Sequence, residues 1–174
     1  METNELEKLK YPIGKFIYKE YDNNAQQAFI AILQNFPQKI TELTKSLTDR
    51  QLDTPYRPDG WTVRQVVHHC TDSHMNAFIR FKLALTEEKP TVKAYEEQLW
   101  AVQPDYNLPI SASLSIIEGL HTRWVALLNS MKSVDFEAKY IHPQTGKELD
   151  LKFMLPLYAW HCEHHLAHIN QALK

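Results

Sequence analysis

Glycine is scarce in this chain, at four in 174 residues. Phosphate-cradling loops and dinucleotide-binding turns need several glycines at set spacings, and none of those fingerprints is present. Cysteine is scarcer still, with only Cys70 and Cys162. One potential bridge makes no disulfide scaffold, and a reducing compartment would keep both as thiols. Each sits in a histidine-rich helical pattern. The plainer reading of each is a small buried apolar residue; the sharper one is a metal ligand or reactive thiol. No apolar run approaches the roughly 20 residues a membrane helix needs. The charged start METNELEKLK lacks the apolar core of a signal peptide. The formal net charge of -2 leaves no basic footprint for nucleic acid or an anionic membrane surface. These absences point to a cytoplasmic protein that binds neither. The length suits one domain over residues 1–174.

What is present is helical periodicity broken by proline. Residues 1–21 read as an extended arm, with Tyr11-Pro12-Ile13-Gly14 too irregular for a helix. A first helix starts at a cap near Asp22 or Asn23, and Pro37 should kink or split it. Pro55, Pro58 and Gly60 mark a loop. Thr62 and Gln65 have capping-box spacing and open a second helix, which runs to about Thr86. Residues 88–110 carry three prolines and read as a long loop, a feature that is often functional in compact domains. A third helix spans about Ser113 to Met131. YIHPQTGKELDLKF reads as a hairpin turning at Pro-Gln-Thr-Gly. A fourth helix runs from about Phe153 or Pro156 to Leu173. The fold class is all-α, a four-helix bundle with a short β-hairpin before the last helix.

Histidine is plentiful, at nine. Seven fall in two clusters: His68, His69 and His74 on the second helix, and His161, His164, His165 and His168 on the fourth. His121 and His142 stand apart. Histidines four apart lie about 40° apart around a helix, one turn above each other, and can grip one ion from one side. On the fourth helix both 161/165 and 164/168 have that spacing. Met154, Leu155, Tyr158, Cys162, Ile169 and Leu173 define the apolar face, and His161 and His165 lie nearer its centre. His164 and His168 fall on a flank, where they could orient ligands or meet solvent. Isolated helix histidines are usually unremarkable, but four in eight residues are not. On the second helix periodicity does not decide. His74 sits in the core stripe and His68 points furthest from it. His69 lines up with Ser73, Asn76 and Arg80, either a solvated face or the polar wall of a site.

LDTPYRPDGWTVRQVVHHCTDSHMNAFIRFKLALTEEKP and YAWHCEHHLAHI closely resemble the YfiT-like proteins of the DinB superfamily, as do YPIGKF and YIHPQTGKE. The resemblance covers about residues 11–169. It implies a bundle in up-down-down-up order, a homodimer, and one divalent metal per chain, zinc or nickel, held by three histidines. By motif those are His69, the second of the HH pair, and His161 and His165 in HCEHH. Cys70 stands where relatives often have an aliphatic residue.

The family's members are described as metal-dependent hydrolases, and some are linked to transfer of thiols such as bacillithiol onto electrophiles. Three functions are therefore expected to compete. The first is a thiol transferase, with Asn76 and Arg80 orienting an acidic co-substrate. The second is a hydrolase acting on a small substrate, which lacks an evident base because Glu163 points away and Asp72 is marginal. The third is a metal-binding dimer without catalysis. Tyr56, Trp61, Trp100 and Trp160 could wall a pocket, although packing is their plainer role.

Overall fold

The computed structural model describes residues 3–143 and 146–174. Four long helices form its frame: α2 (Asn23–Thr44), α4 (Val63–Thr86), α6 (Ser111–Ser130) and α7 (Leu151–Ala172). Shorter helices α1 (Thr3–Lys10), α3 (Asp49–Leu52) and α5 (Glu97–Trp100) lie in the connections, with 3₁₀ turns at Pro104–Asn107 and Ser133–Glu137.

Local chemistry sets the boundaries. The Asp22 carboxylate accepts from the Ala25 N–H at 2.9 Å and starts α2. Thr62 and Gln65 cap each other's backbone and start α4, as their spacing predicts. Asp150 accepts from the Phe153 N–H at 2.6 Å and starts α7 earlier than expected, which places Pro156 inside the helix. Pro37 also lies inside a continuous helix and does not split α2. Each proline removes the donor to the carbonyl four residues back. A side chain from elsewhere takes each freed carbonyl. His121 Nδ1 lies 2.6 Å from Leu33 O, and Tyr21 OH donates to Lys152 O at 2.8 Å. The N-terminal stretch also departs from expectation. It begins with α1 before its extended arm, because its last-turn carbonyls find donors: Gln171 Nε2 reaches Leu9 O, and His168 Nε2 reaches Lys10 O.

Both α2 and α4 pack against α6 and α7. Tyr21 meets Lys152 and Lys39 meets Glu163, so α2 and α7 run parallel. His68 meets Ser113 and His74 meets His121, so α4 and α6 run parallel as well. His69 faces His165 while Ser73 faces His161 and Tyr158, so α4 and α7 are antiparallel. The order is up-down-down-up. Parallel neighbours need a return path. The 24 residues of α4 span about 36 Å, and residues 87–110 run back beside them. Arg80 donates to Lys93 O, Gln65 to Ala101 O and Arg64 to Leu108 O along that path.

The hairpin pairs β1 (Lys139–Ile141) with β2 (Glu148–Asp150), Tyr140 opposite Leu149. Its expected turn centre, Gln144 and Thr145, lies outside the described residues. The core holds Phe36, Ile40, Phe81, Tyr140 and Leu155 around Trp124, which meets Phe81 and Tyr158 edge-on. Among the described residues no helix is long and apolar enough to cross a membrane.

Candidate metal centre

His69 on α4 and His161 and His165 on α7 meet across the antiparallel pair. One ring nitrogen of each lies within 4.8 Å of the others. His161 Nε2 and His165 Nε2 are 3.2 Å apart. Two nitrogens on one tetrahedral zinc would stand about 3.3–3.4 Å apart at ordinary Zn–N lengths. The one-turn spacing on α7 therefore already has the separation of two ligands. Among the described residues no group hydrogen-bonds to the His69 ring, and its Nδ1 is buried without a partner. A core histidine in that state would cost about 1–3 kcal/mol. An unsatisfied ring beside a close nitrogen pair fits a cation site.

Burial keeps all three rings neutral, as ligation requires. It pulls the His69 pKa down to about 4, with the nearby His168 adding to the effect. It pushes His161 and His165 well below the ordinary imidazole value, and the neighbouring histidines push further.

A cavity of about 300 Å³ opens over the three rings. Tyr11, Tyr56, Trp61 and Trp160 give it aromatic walls, and Lys10 and Arg57 give it two cations. Arg57 sits on a tight turn where Asp59 has φ 55° and the Gly60 N–H donates to Arg57 O at 3.0 Å. A Cβ on Gly60 would come within 2.6 Å of Arg57 Cγ, so only glycine lets that side chain fold back. Glu97, on α5, and Asp59 supply the carboxylates of the cavity wall.

The sequence profile of the DinB superfamily matches residues 32–169. This chain belongs to the DinB superfamily. It is 51% identical over 167 residues to a Bacillus cereus (strain ATCC 10987 / NRS 248) protein named "Putative metal-dependent hydrolase", covering 95% of this chain and 96% of that one. A Bacillus anthracis (strain CDC 684 / NRRL 3495) protein of the same name shows the same identity and coverage. Among solved structures, YfiT from Bacillus subtilis superposes with a TM-score of 0.92 at 43% identity, covering 95% of each chain. That protein is described as a "probable metal-dependent hydrolase with an unusual four-helix bundle topology". The chain is thus a YfiT-like DinB protein.

Other residues singled out in the sequence fall in different places on this DinB fold. Asn76 and Arg80 do not reach the cavity over the trio. Asn76 donates to Asp72 O of its own helix and lines a separate cavity of about 800 Å³ with Tyr95, Trp100 and Tyr106. Arg80 reaches Lys93 O. Tyr56, Trp61 and Trp160 do wall the trio's cavity, while Trp100 walls the other. His68, expected to point furthest from the core, is buried against Ser113 Oγ at 2.7 Å and Leu108 O at 3.1 Å. His164 stacks on Trp160 at 4.3 Å and His168 on Tyr56 at 3.8 Å. Cys70 and Cys162 are core thiols whose pKa burial pushes up, so neither is poised as a thiolate. Glu163 pairs with Lys39 at 2.8 Å, and Asp72 accepts from Tyr106 OH at 2.6 Å.

Sequence reasoning missed Glu97, Arg57, Lys10 and His121. Glu97 carried one faint signal, its place in the long proline-bounded loop. His121 carried another, sitting between Ile117 and Trp124 on the buried face of α6.

Proposed function

We propose that this protein is a metal-dependent enzyme that transfers an acidic low-molecular-weight thiol, of which bacillithiol is the type, onto an electrophilic small molecule. His69, His161 and His165 would hold one divalent ion, zinc or nickel, since neutral imidazoles accept both. When bound, the ion supplies Lewis acidity that lowers the pKa of a group placed at its open position. The observation that carries the reading is the cavity's composition. Lys10 and Arg57 offer two cations beside the trio, and although Asp59 and Glu97 also line the wall, no carboxylate hydrogen-bonds to any of the three rings among the described residues. A thiol acidified in place needs no separate base to become a nucleophile. The two cations can hold its acidic groups, and the aromatic walls can stack against the electrophile.

Glu97 favours a second reading. It lies on the cavity wall, exposed to solvent, and partial desolvation there, with Glu96 adding, raises its pKa. That is a useful property for a general base in hydrolysis. One assay separates the two. Zinc- or nickel-loaded protein is given an electrophile with and without bacillithiol, and in parallel a panel of esters, amides and phosphoesters without thiol. Metal-dependent conjugate formation that Arg57→Ala weakens supports thiol transfer. Thiol-independent turnover that Glu97→Gln abolishes supports hydrolysis and overturns the first reading.

A further inference from the structure

Behind the trio, two more histidines continue away from the cavity into the bundle. His161 Nδ1 lies 3.0 Å from His74 Nε2. His74 Nδ1 lies 2.8 Å from His121 Nε2. His121 Nδ1 lies 2.6 Å from Leu33 O, the carbonyl that Pro37 cannot pair. His74 and His121 are 0% and 1% exposed, so water satisfies none of these atoms.

The direction of this chain follows from its far end. A carbonyl oxygen only accepts, so His121 Nδ1 must carry the hydrogen. A neutral imidazole has one N–H, and burial without a counter-charge excludes a second. His121 Nε2 is therefore an acceptor, and His74 Nδ1 donates to it. His74 Nε2 is then an acceptor, and His161 Nδ1 donates to that. His161 Nε2 is left with its lone pair as an acceptor, with Ser73 Oγ at 3.4 Å and His165 Nε2 at 3.2 Å. The same logic runs on the other side. Lys10 O accepts from His168 Nε2 at 3.0 Å, so His168 Nδ1 faces His165 Nδ1, 3.4 Å away, as an acceptor. His165 can carry its hydrogen on Nδ1, towards His168, or on Nε2, towards the His161 Nε2 acceptor 3.2 Å away, so its tautomer is free to follow the ion.

We propose that His74 and His121 are positioning residues that lock His161 in its Nδ1–H tautomer before metal arrives, with Pro37 supplying the fixed end by freeing the Leu33 carbonyl. The Nε2 lone pair of His161 is kept for a cation, which would replace its contacts with Ser73 Oγ at 3.4 Å and His165 Nε2 at 3.2 Å. The site is thereby prepared by residues that never touch the ion. Outer partners of metal-binding histidines commonly raise metal affinity about 10–100-fold.

This rests on the metal reading above, and the test keeps the two apart. Zinc affinity is measured by chelator competition for the full-length wild type and for His161→Ala, His74→Leu, His121→Leu and His121→Gln. His161→Ala should abolish stoichiometric binding. Each Leu variant should weaken it about tenfold or more. The glutamine amide can still donate to Leu33 O while its oxygen accepts from His74, so His121→Gln should recover most of the loss. A full zinc load in His161→Ala would sink the metal reading itself. Loss there with wild-type affinity in both Leu variants would sink the relay alone. Long-range ¹H–¹⁵N correlation spectra of histidine-labelled metal-free wild type decide the matter even if the Leu variants fail to fold. Nδ1–H at positions 121, 74 and 161 is expected, and Nε2–H at His161 overturns the proposal.

Discussion

The two sides of the histidine trio are built differently. On the core side, separations shorten with depth, 3.0, 2.8 and 2.6 Å, and end on a carbonyl of α2. On the rim side, a single histidine stands 3.4 Å from His165 and ends on Lys10 O. That carbonyl belongs to α1, a helix of eight residues, too short to be stable alone. His168 Nε2 and Gln171 Nε2 hold the end of α1, and the His168 ring lies flat on Tyr56 at 3.8 Å. The core side is thus fixed by the packing of the four long helices. The rim side depends on a docked segment that also carries Lys10 and walls the cavity. Opening of the rim should cost less than opening of the core. The lesson is a division of labour: one flank holds the three rings still, while the other can yield and open the cavity.

The largest test of this contrast is removal of a ring that both sides meet. His165→Ala should lose stoichiometric metal, measured by elemental analysis of protein purified without a histidine tag. His68→Ala, about 100° round α4 from His69 and turned towards Ser113 and Leu108, should keep it.

Next comes acid. Burial holds the His121 pKa down to about 4, against about 6.5 when unfolded. The unfolded chain therefore binds more protons between those values, so stability is full above pH 6.5 and falls as pH drops towards 4. His121 alone should cost the metal-free protein about 2 kcal/mol at pH 5 relative to pH 7.5, read from urea midpoints. His121→Leu should flatten that dependence, and an unchanged pH slope would mean the core side is not buried as described.

On the rim, His168→Ala should weaken zinc binding about tenfold and remove a ring stack worth about 0.5–1.5 kcal/mol. Hydrogen exchange should show α1 amides opening faster in that variant, with α2 amides unchanged. Faster exchange in α2 would erase the distinction between the flanks. The smallest effect belongs to the outer face of the same helix. Glu163→Gln breaks an exposed ion pair and should change the melting stability by under about 1 kcal/mol, with metal affinity unaltered.

Much of this was legible in the sequence. The four long helices, the Thr62–Gln65 cap and the hairpin followed from periodicity and turn chemistry. The choice of His161 and His165 over His164 and His168 followed from angle alone. Angle, however, fixes a face and not a height. Asn76 and Arg80 share a face of α4 with His69 but stand about 10 and 16 Å further along the axis, beyond the cavity. The two internal prolines misled because their cost is one orphaned carbonyl each, and the donors that remove it, His121 and Tyr21, come from distant parts of the chain. His121 was invisible as a partner for the same reason. His69, the third member of the trio, needed the family motif, since nothing on its own helix separates it from a solvated stripe.

The return path from α4 to α6 has a consequence of its own. Two adjacent helices pointing the same way oblige the chain to retrace one of them, whatever the protein does. That obligatory stretch places Glu97 and Gln98 over the histidines and Tyr95 and Trp100 over the neighbouring cavity. Part of the wall of both cavities therefore lies on a stretch of chain separate from the helices that carry the three histidines. Residues 94–103 can be rewritten, and both cavities reshaped, while the helices that carry the three histidines stay as they are.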